Sequence, residues 1–203
     1  MKKHFLTLMG FGLVLSIAAC GGGEKTEEID VRGDSAAAHD TTMHTMPADT
    51  AMYDAASAAL SGTKADTVLT GMAKFTRKGD EVELELTLDV PKKANSTVAV
   101  HFHEHGDCGD EGKGAHGHWN PTKEDHGKWG SAKYHSGDLG NIKLDKDGKA
   151  TFTVKTNRWT IGGPEKTNIL NRAIIIHSGV DDYTTQPTGN SGSRIGCGVI
   201  NKM

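Results

Sequence analysis

An antiparallel β-sandwich or barrel of seven or eight short strands is the fold this sequence predicts, on three observations. Glu81 to Val90 alternates strictly, with Val82, Leu84, Leu86, Leu88 and Val90 on one face, the period-two signature of a half-buried antiparallel strand. Short apolar runs recur between turn residues from Met72 to Ile200. Glycines number 26 and aromatic residues make up 5% of 203 positions, which suits turn-rich β structure better than a helical bundle. Hydrophobic residues are only 35%, too few for a polytopic membrane protein. With a formal net charge of −3 and no strongly basic stretch, a nucleic-acid partner is not indicated.

The chain opens with Lys2 and Lys3, then an apolar run from Phe5 to Ala19. Fifteen residues are too few to span a bilayer comfortably and fit the core of an export signal. The run ends Ile17-Ala18-Ala19-Cys20, which resembles a bacterial lipobox, so residues 1–19 are read as a signal peptide and Cys20 as the lipidated first residue. Gly21 at the next position, rather than Asp, resembles outer-membrane sorting. The expected location is the bacterial cell envelope, lipid-anchored on the periplasmic side or at the surface. Once Cys20 is set aside, Cys108 and Cys197 remain as a pair, in a compartment where disulfides persist.

Residues 20–65 read as a flexible acidic tether, with three Lys/Arg against eight Asp/Glu. Ala48 to Leu60 is given a short helix within it. His39, Met43, His44 and Met46 offer ligands suited to Cu(I), but a flexible tract lacks the fixed geometry that metal selectivity needs, so they are read as linker residues.

Residues 66–203 read as the folded domain, electrically neutral with 18 charges of each sign. Lys78-Gly79-Asp80 turns a strand around Met72–Thr76 into the strand Glu81–Val90, and a further strand runs from Thr97 to His103. Asp147-Gly148 is a hairpin signal between Asn141–Leu144 and Thr151–Lys155. Ala173–His177 and Ile195–Ile200 complete the set, with no internal repeat and no second core.

Eight of the 11 histidines lie between His101 and His177. His101 and His103 point to one face of a strand, half of a metal site without any turn. His177 ends an apolar strand, a rigid place from which to aim a third ligand. A glycine-rich stretch then offers His118, His126 and His135, with Asp138 close behind. Four imidazoles suit Cu(II), and three imidazoles with a carboxylate suit zinc.

The motifs His101-Phe102-His103-Glu104-x-Gly106-Asp107-Cys108, His118-Trp119-Asn120-Pro121, His126-Gly127, His135-Ser136-Gly137-Asp138-Leu139-Gly140-Asn141, His177 and Gly189 to Ile200 occur in that order. On them, the chain from Asp66 to Asn201 resembles the exported bacterial copper-zinc superoxide dismutases. The resemblance implies a Greek-key β-barrel of about eight strands with long metal-binding loops. It implies copper on His101, His103, His118 and His177, and zinc on His118, His126, His135 and Asp138. His118 would bridge the two metals and supply a proton. It further implies that Asp181 links a copper histidine to a zinc histidine, that Arg194 attracts superoxide beside the copper, and that Cys108–Cys197 pins the loop to the barrel.

The chain departs from the family pattern at Val98-Ala99-Val100. It also carries two histidines without a family role, His105 and His116, which are read as surface residues. The implied reaction converts superoxide to dioxygen and hydrogen peroxide. The alternative is a lipoprotein that buffers copper and zinc without turnover, which would need the ligands but not Arg194. The oligomeric state stays open between a monomer and a homodimer.

Overall fold

The computed structural model describes residues 51–203; the expected signal peptide, Cys20 and His39, Met43, His44 and Met46 lie outside the described residues. The strands are β1 (Ala55–Gly62), β2 (Thr70–Lys78), β3 (Glu81–Asp89), β4 (Thr97–His103), β5 (Asp138–Lys143), β6 (Lys149–Thr156), β7 (Ala173–His177), β8 (Arg194–Val199) and the two-residue β9 (Asn201–Lys202). Their order is β5-β4-β7-β8-β1-β2-β3-β6, all antiparallel, with β9 beside β1. The connections β3 to β4 and β6 to β7 cross between the two halves, giving the nearly closed Greek-key barrel.

Two expectations are corrected. The barrel begins in what reads from sequence as tether: β1 runs Ala55–Gly62, in register with β2 from Ala55↔Thr76 to Ser61↔Thr70, and among the described residues of the expected Ala48–Leu60 helix none is helical. Alanine favours a helix in isolation, but Ala56, Ala58 and Leu60 alternate into the core and tertiary pairing overrides propensity. Asp54 is tied to the barrel by its ion pair with Arg77. At Asp147-Gly148 the turn forms, with the Gly148 N–H donating to Asp145 O at 3.1 Å, but β5 and β6 do not pair along their length. Each already has a partner, β4 and β3 respectively, so the turn spans the seam of the barrel rather than closing a hairpin.

The interior is filled by alternating residues such as Leu84, Leu86, Ile174 and Ile176, around Phe75, Phe102 and Trp159. Those three rings meet at centroid distances of 5.8, 6.3 and 4.9 Å, each pair contributing roughly 0.5–1.5 kcal/mol beyond its burial. β4 is buried on both faces: Val98, Val100 and Phe102 join the core, while Ala99, His101 and His103 face outward beneath the covering loops. A small outer cluster of Ala115, Ala173, Ile175 and Cys197, with Cys108 packed against it, supplements the main core. The sequence shows no periodicity for it, because it is assembled from alternate outer positions of two strands and one loop.

Candidate metal centre

The sheet register places the first ligands. Phe102 fills the core, so its neighbours His101 and His103 must project to the other face, opposite Ile175 and Ala173 of β7. His177, the last residue of β7, lies opposite Arg194, and His101 lies opposite Asp138. Both positions follow a register irregularity, at Val100/His101 and Ile176/His177, the kind of bulge that re-aims a side chain at a sheet rim. The chain returns along the end of β4 through a His103↔His118 bridge and a Trp119 N–H bond to Phe102 O of 2.8 Å. One ligand atom from each of His101, His103, His118 and His177 thereby lies within 4.8 Å of the others.

In each of three rings the outer nitrogen is held. His101 Nε2 donates to Asp181 Oδ2 at 2.8 Å, His103 Nδ1 to His116 O at 2.8 Å, and His177 Nδ1 to Gly192 O at 3.3 Å. The remaining atoms, His101 Nδ1, His103 Nε2, His118 Nε2 and His177 Nε2, are buried without a hydrogen-bond partner. Buried nitrogens in that condition are costly unless something binds them.

The second group gathers around the fully buried Asp138. His118 Nδ1 stands 2.9 Å from Oδ1, His126 Nδ1 2.9 Å from Oδ2, and His135 Nδ1 3.3 Å from Oδ1. The backbone N–H of His135 donates to the same carboxylate at 2.9 Å and that of Gly127 at 3.2 Å. His118, His126, His135 and Asp138 thus form a second set with ligand atoms within 4.8 Å, and His118 belongs to both.

Asp181 joins the two sets, accepting from His101 Nε2 at 2.8 Å and from His126 Nε2 at 2.9 Å. Its backbone is clamped by Asn141, whose Nδ2 donates to Asp181 O at 2.9 Å and whose Oδ1 accepts from Asp181 N–H at 2.8 Å. Gly189 crosses directly over the Asp181–His126 hydrogen bond: at φ +69° an added Cβ would stand 1.9 Å from Asp181 Oδ1 and 2.5 Å from His126 Nε2. Asn141 and Gly189 appear in the sequence motifs, but their task is visible only once the loops are folded together.

Electrostatics separate the groups. Burial pushes His103 down to about 2, His177 to about 3 and His118 to about 4, the last against the opposing pull of Asp138. Burial also works against a charged His126, but the Asp138 and Asp181 carboxylates outweigh it and raise the ring to about 9. For Asp138 and Asp181 burial favours the neutral acid, yet the surrounding histidines hold both well below the usual carboxylate range.

Arg194 donates to the carbonyls of Gly112 and His116, both on the segment that the Cys108–Cys197 disulfide fastens to β8. With His103, His118, His177, Thr188, Asn190 and Ser191 it lines an open pocket of about 270 Å³, ample for a small anion. These contacts to His116 and Gly112 escape sequence reasoning, because main-chain carbonyls leave no residue signature.

The donors fit two different metals. Four imidazoles match a copper ion, each with one buried nitrogen that has no hydrogen-bond partner, and three imidazoles with a carboxylate match zinc, which would take the place of the protons now shared with Asp138. His105 and His116 lie outside both sets, on the surface.

The family description copper/zinc superoxide dismutase (SODC) matches residues 69–200. The copper-zinc superoxide dismutase of Paramecium bursaria Chlorella virus 1 is 33% identical over 136 residues, 64% of this chain and 71% of the relative. That of Saccharomyces cerevisiae is 32% identical over 144 residues, 68% of this chain and 92% of the relative. The first copper-zinc superoxide dismutase of Aquifex aeolicus is 36% identical over 129 residues, 62% of this chain and 75% of the relative. Among solved structures, the clock protein EA4 superposes with a TM-score of 0.65 at 27% identity, covering 75% of this chain and 97% of that one.

Proposed function

This chain belongs to the copper/zinc superoxide dismutase family, and from that premise we infer how its own residues carry out the dismutation of superoxide to dioxygen and hydrogen peroxide. Its cofactors are copper and zinc. Copper is assigned to His101, His103, His118 and His177, and zinc to His118, His126, His135 and Asp138. Bound there, the copper would supply one-electron redox exchange, and the zinc would help fix the imidazole of His118.

The observation that carries this reading is His118, with Nδ1 turned to Asp138 at 2.9 Å and Nε2 buried among the copper-side rings without a partner. An imidazole fixed through one nitrogen can hold a proton on the other and release it to the substrate without rotating. His118 Nε2 is therefore the atom assigned to proton delivery. Arg194 offers the incoming anion a guanidinium whose two hydrogen bonds go to carbonyls rather than to a carboxylate, so its charge is left for the substrate. Asp181 keeps His101 and His126 in the tautomers that leave Nδ1 of each facing inward.

The test is superoxide dismutation by metal-loaded protein, compared with His101→Ala and Arg194→Ala. Wild type should be active, His101→Ala should fall to background, and Arg194→Ala should lose roughly ten-fold or more. Equal inactivity of wild type and His101→Ala would sink the enzyme reading in favour of metal buffering.

The exported lipoprotein form is also part of the proposal. It is supported by Lys2 and Lys3, the apolar run and Ile17-Ala18-Ala19-Cys20, and it implies a mature chain anchored to the cell envelope through Cys20. Incorporation of labelled fatty acid should be lost in Cys20→Ala, and protease shaving of intact cells separates surface display from the periplasmic side. Labelling that persists in Cys20→Ala would remove the anchor.

A further inference from the structure

One group of metal-ligating side chains is used by neither quartet. Glu104, His105 and His116, all exposed, bring one ligand atom each to within 4.8 Å of the others, and the two imidazole centroids are 4.4 Å apart. The backbone explains the meeting. Just beyond β4, Glu104 N–H donates to Gly117 O at 3.0 Å and His105 N–H to Ala115 O at 3.2 Å. Two residues on one side therefore face three on the other, and His116 is the extra residue of a bulge, at φ +61°.

We propose that Glu104, His105 and His116 form a third metal site, open to solvent, that takes a zinc ion. Two imidazoles and a carboxylate are a zinc ligand set that leaves a fourth position to water. The ligands stand on ordered backbone: His116 O accepts from both His103 Nδ1 and Arg194, and the disulfide closes the segment at Cys108. Because the donors are exposed, no burial penalty has to be overcome before the ion binds. The charged groups facing the site are Arg172, Glu165 and Lys166, which share a depression with Glu104, His105 and Trp119. Arg172 donates to the Glu104 carbonyl and lies 5.4 Å from the Trp119 ring centroid. Its charge tempers the Glu104 carboxylate, so the two histidines supply most of the affinity.

The test uses the full chain with copper and zinc in the buried sites and the copper reduced, so that the protein is diamagnetic. Equilibrium dialysis against zinc, followed by elemental analysis, should find one equivalent beyond the buried pair, and the ring-proton signals of His105 and His116 should move together on titration. His105→Gln should weaken the extra site at least about ten-fold while keeping the buried metals and dismutase activity, and Glu104→Gln should weaken it less. His39→Gln/His44→Gln, which removes the tether imidazoles, should leave it intact. The proposal is overturned if no extra zinc binds, if the extra zinc survives His105→Gln, or if it vanishes in the tether variant. The ring-proton titration needs no substitution, so unmoved His105 and His116 signals in wild type overturn it even where a variant folds poorly.

Discussion

In the set His101, His103, His118 and His177, three side chains sit on strands; in His118, His126, His135 and Asp138, only Asp138 does, at the first residue of β5. The strand-borne set contains no carboxylate, and burial pushes His103 and His177 down to about 2 and about 3, so those rings are neutral at neutral pH. The loop-borne set is gathered by the charge of Asp138, which with Asp181 raises His126 to about 9. One half of the centre is arranged by sheet register and desolvation, the other by a buried carboxylate. His118 and Asp181 are the links between them, one by ring and one by hydrogen bond.

The largest effect should come from removing that carboxylate. Asp138→Ala takes away the one acidic ligand and the group that gathers three imidazoles, so zinc affinity should fall by roughly 100-fold or more, beyond the 10–100-fold typical of an outer partner. Copper should stay largely bound, because its ligands are placed by β4 and β7. His177→Ala should do the reverse. Elemental analysis of both variants decides the matter, and equal loss of both metals in Asp138→Ala would erase the contrast.

Next in size is the disulfide, which serves the strand-borne side by securing the carbonyls that hold Arg194 and His103. Cys108 and Cys197 lie 89 residues apart, and in the chain-entropy model a loop of that length stabilises by roughly 4–5 kcal/mol. At roughly 2–4 °C per kcal/mol, Cys108→Ser should lower Tm by about 10 °C or more. An unchanged Tm on reduction of the wild type would mean that the outer cluster alone holds the segment.

A smaller effect separates the two halves by their protons. In metal-stripped protein, His103 at about 2, His118 at about 4 and His177 at about 3 refuse protons that the unfolded chain accepts near pH 6.5, so all three withdraw stability as pH falls below that value. His126, raised to about 9, does the opposite: its contribution is complete below about pH 6.5 and is lost as pH rises through about 9. Three groups oppose one, so the urea midpoint should fall from about pH 7 to about pH 5. A midpoint that rises on acidification would mean that the carboxylate-bound histidine governs the whole centre.

What could be read before folding follows the same division. β3 and β4 were legible because an alternating strand announces its inward face, and His101 and His103 inherit their direction from it. β1 was not, since Ala56 and Ala58 carry little hydrophobic contrast and only pairing with β2 reveals their period. The metal ligands themselves were legible as residue types in order. The parts that hold them were not: the Asn141 clamp, the close approach of Gly189 and the His116 carbonyl are contacts between distant segments or through main-chain atoms. The pairing of His105 with His116 was likewise hidden, because it depends on one extra residue in a bulge.

The smallest expected effect concerns how the anion arrives. Long-range steering raises association rates by roughly 10–10³-fold and falls with salt; superoxide dismutase is itself a standard example of this physics, so the general effect is not a finding about this chain. Here the segment from Ser178 to Ser193 has no lysine or arginine, and its two acids are engaged. Asp181 is occupied by His101 and His126, and Asp182 accepts from the N–H groups of Thr184 and Thr185 at 2.9 and 2.7 Å. Nearby lysines are partly cancelled: Lys133 pairs with Asp125 at 2.9 Å and Lys64 with Glu111 at 2.9 Å. The cation that lines the same pocket as three of the copper-side histidines is Arg194. A charge that close to its target lies inside the Debye length even at physiological salt, roughly 8 Å, so raising ionic strength screens it little. The second-order rate, followed by pulse radiolysis from about 0.01 to 0.15 M ionic strength, should therefore change by less than about two-fold while the Debye length shrinks from roughly 30 to 8 Å. Arg194→Ala should cost more than Lys123→Ala, Lys128→Ala or Lys133→Ala. A steep decline with salt that disappears in one of those lysine variants would show that a remote field does the steering, and that the strand-borne half of the centre does not attract its substrate alone.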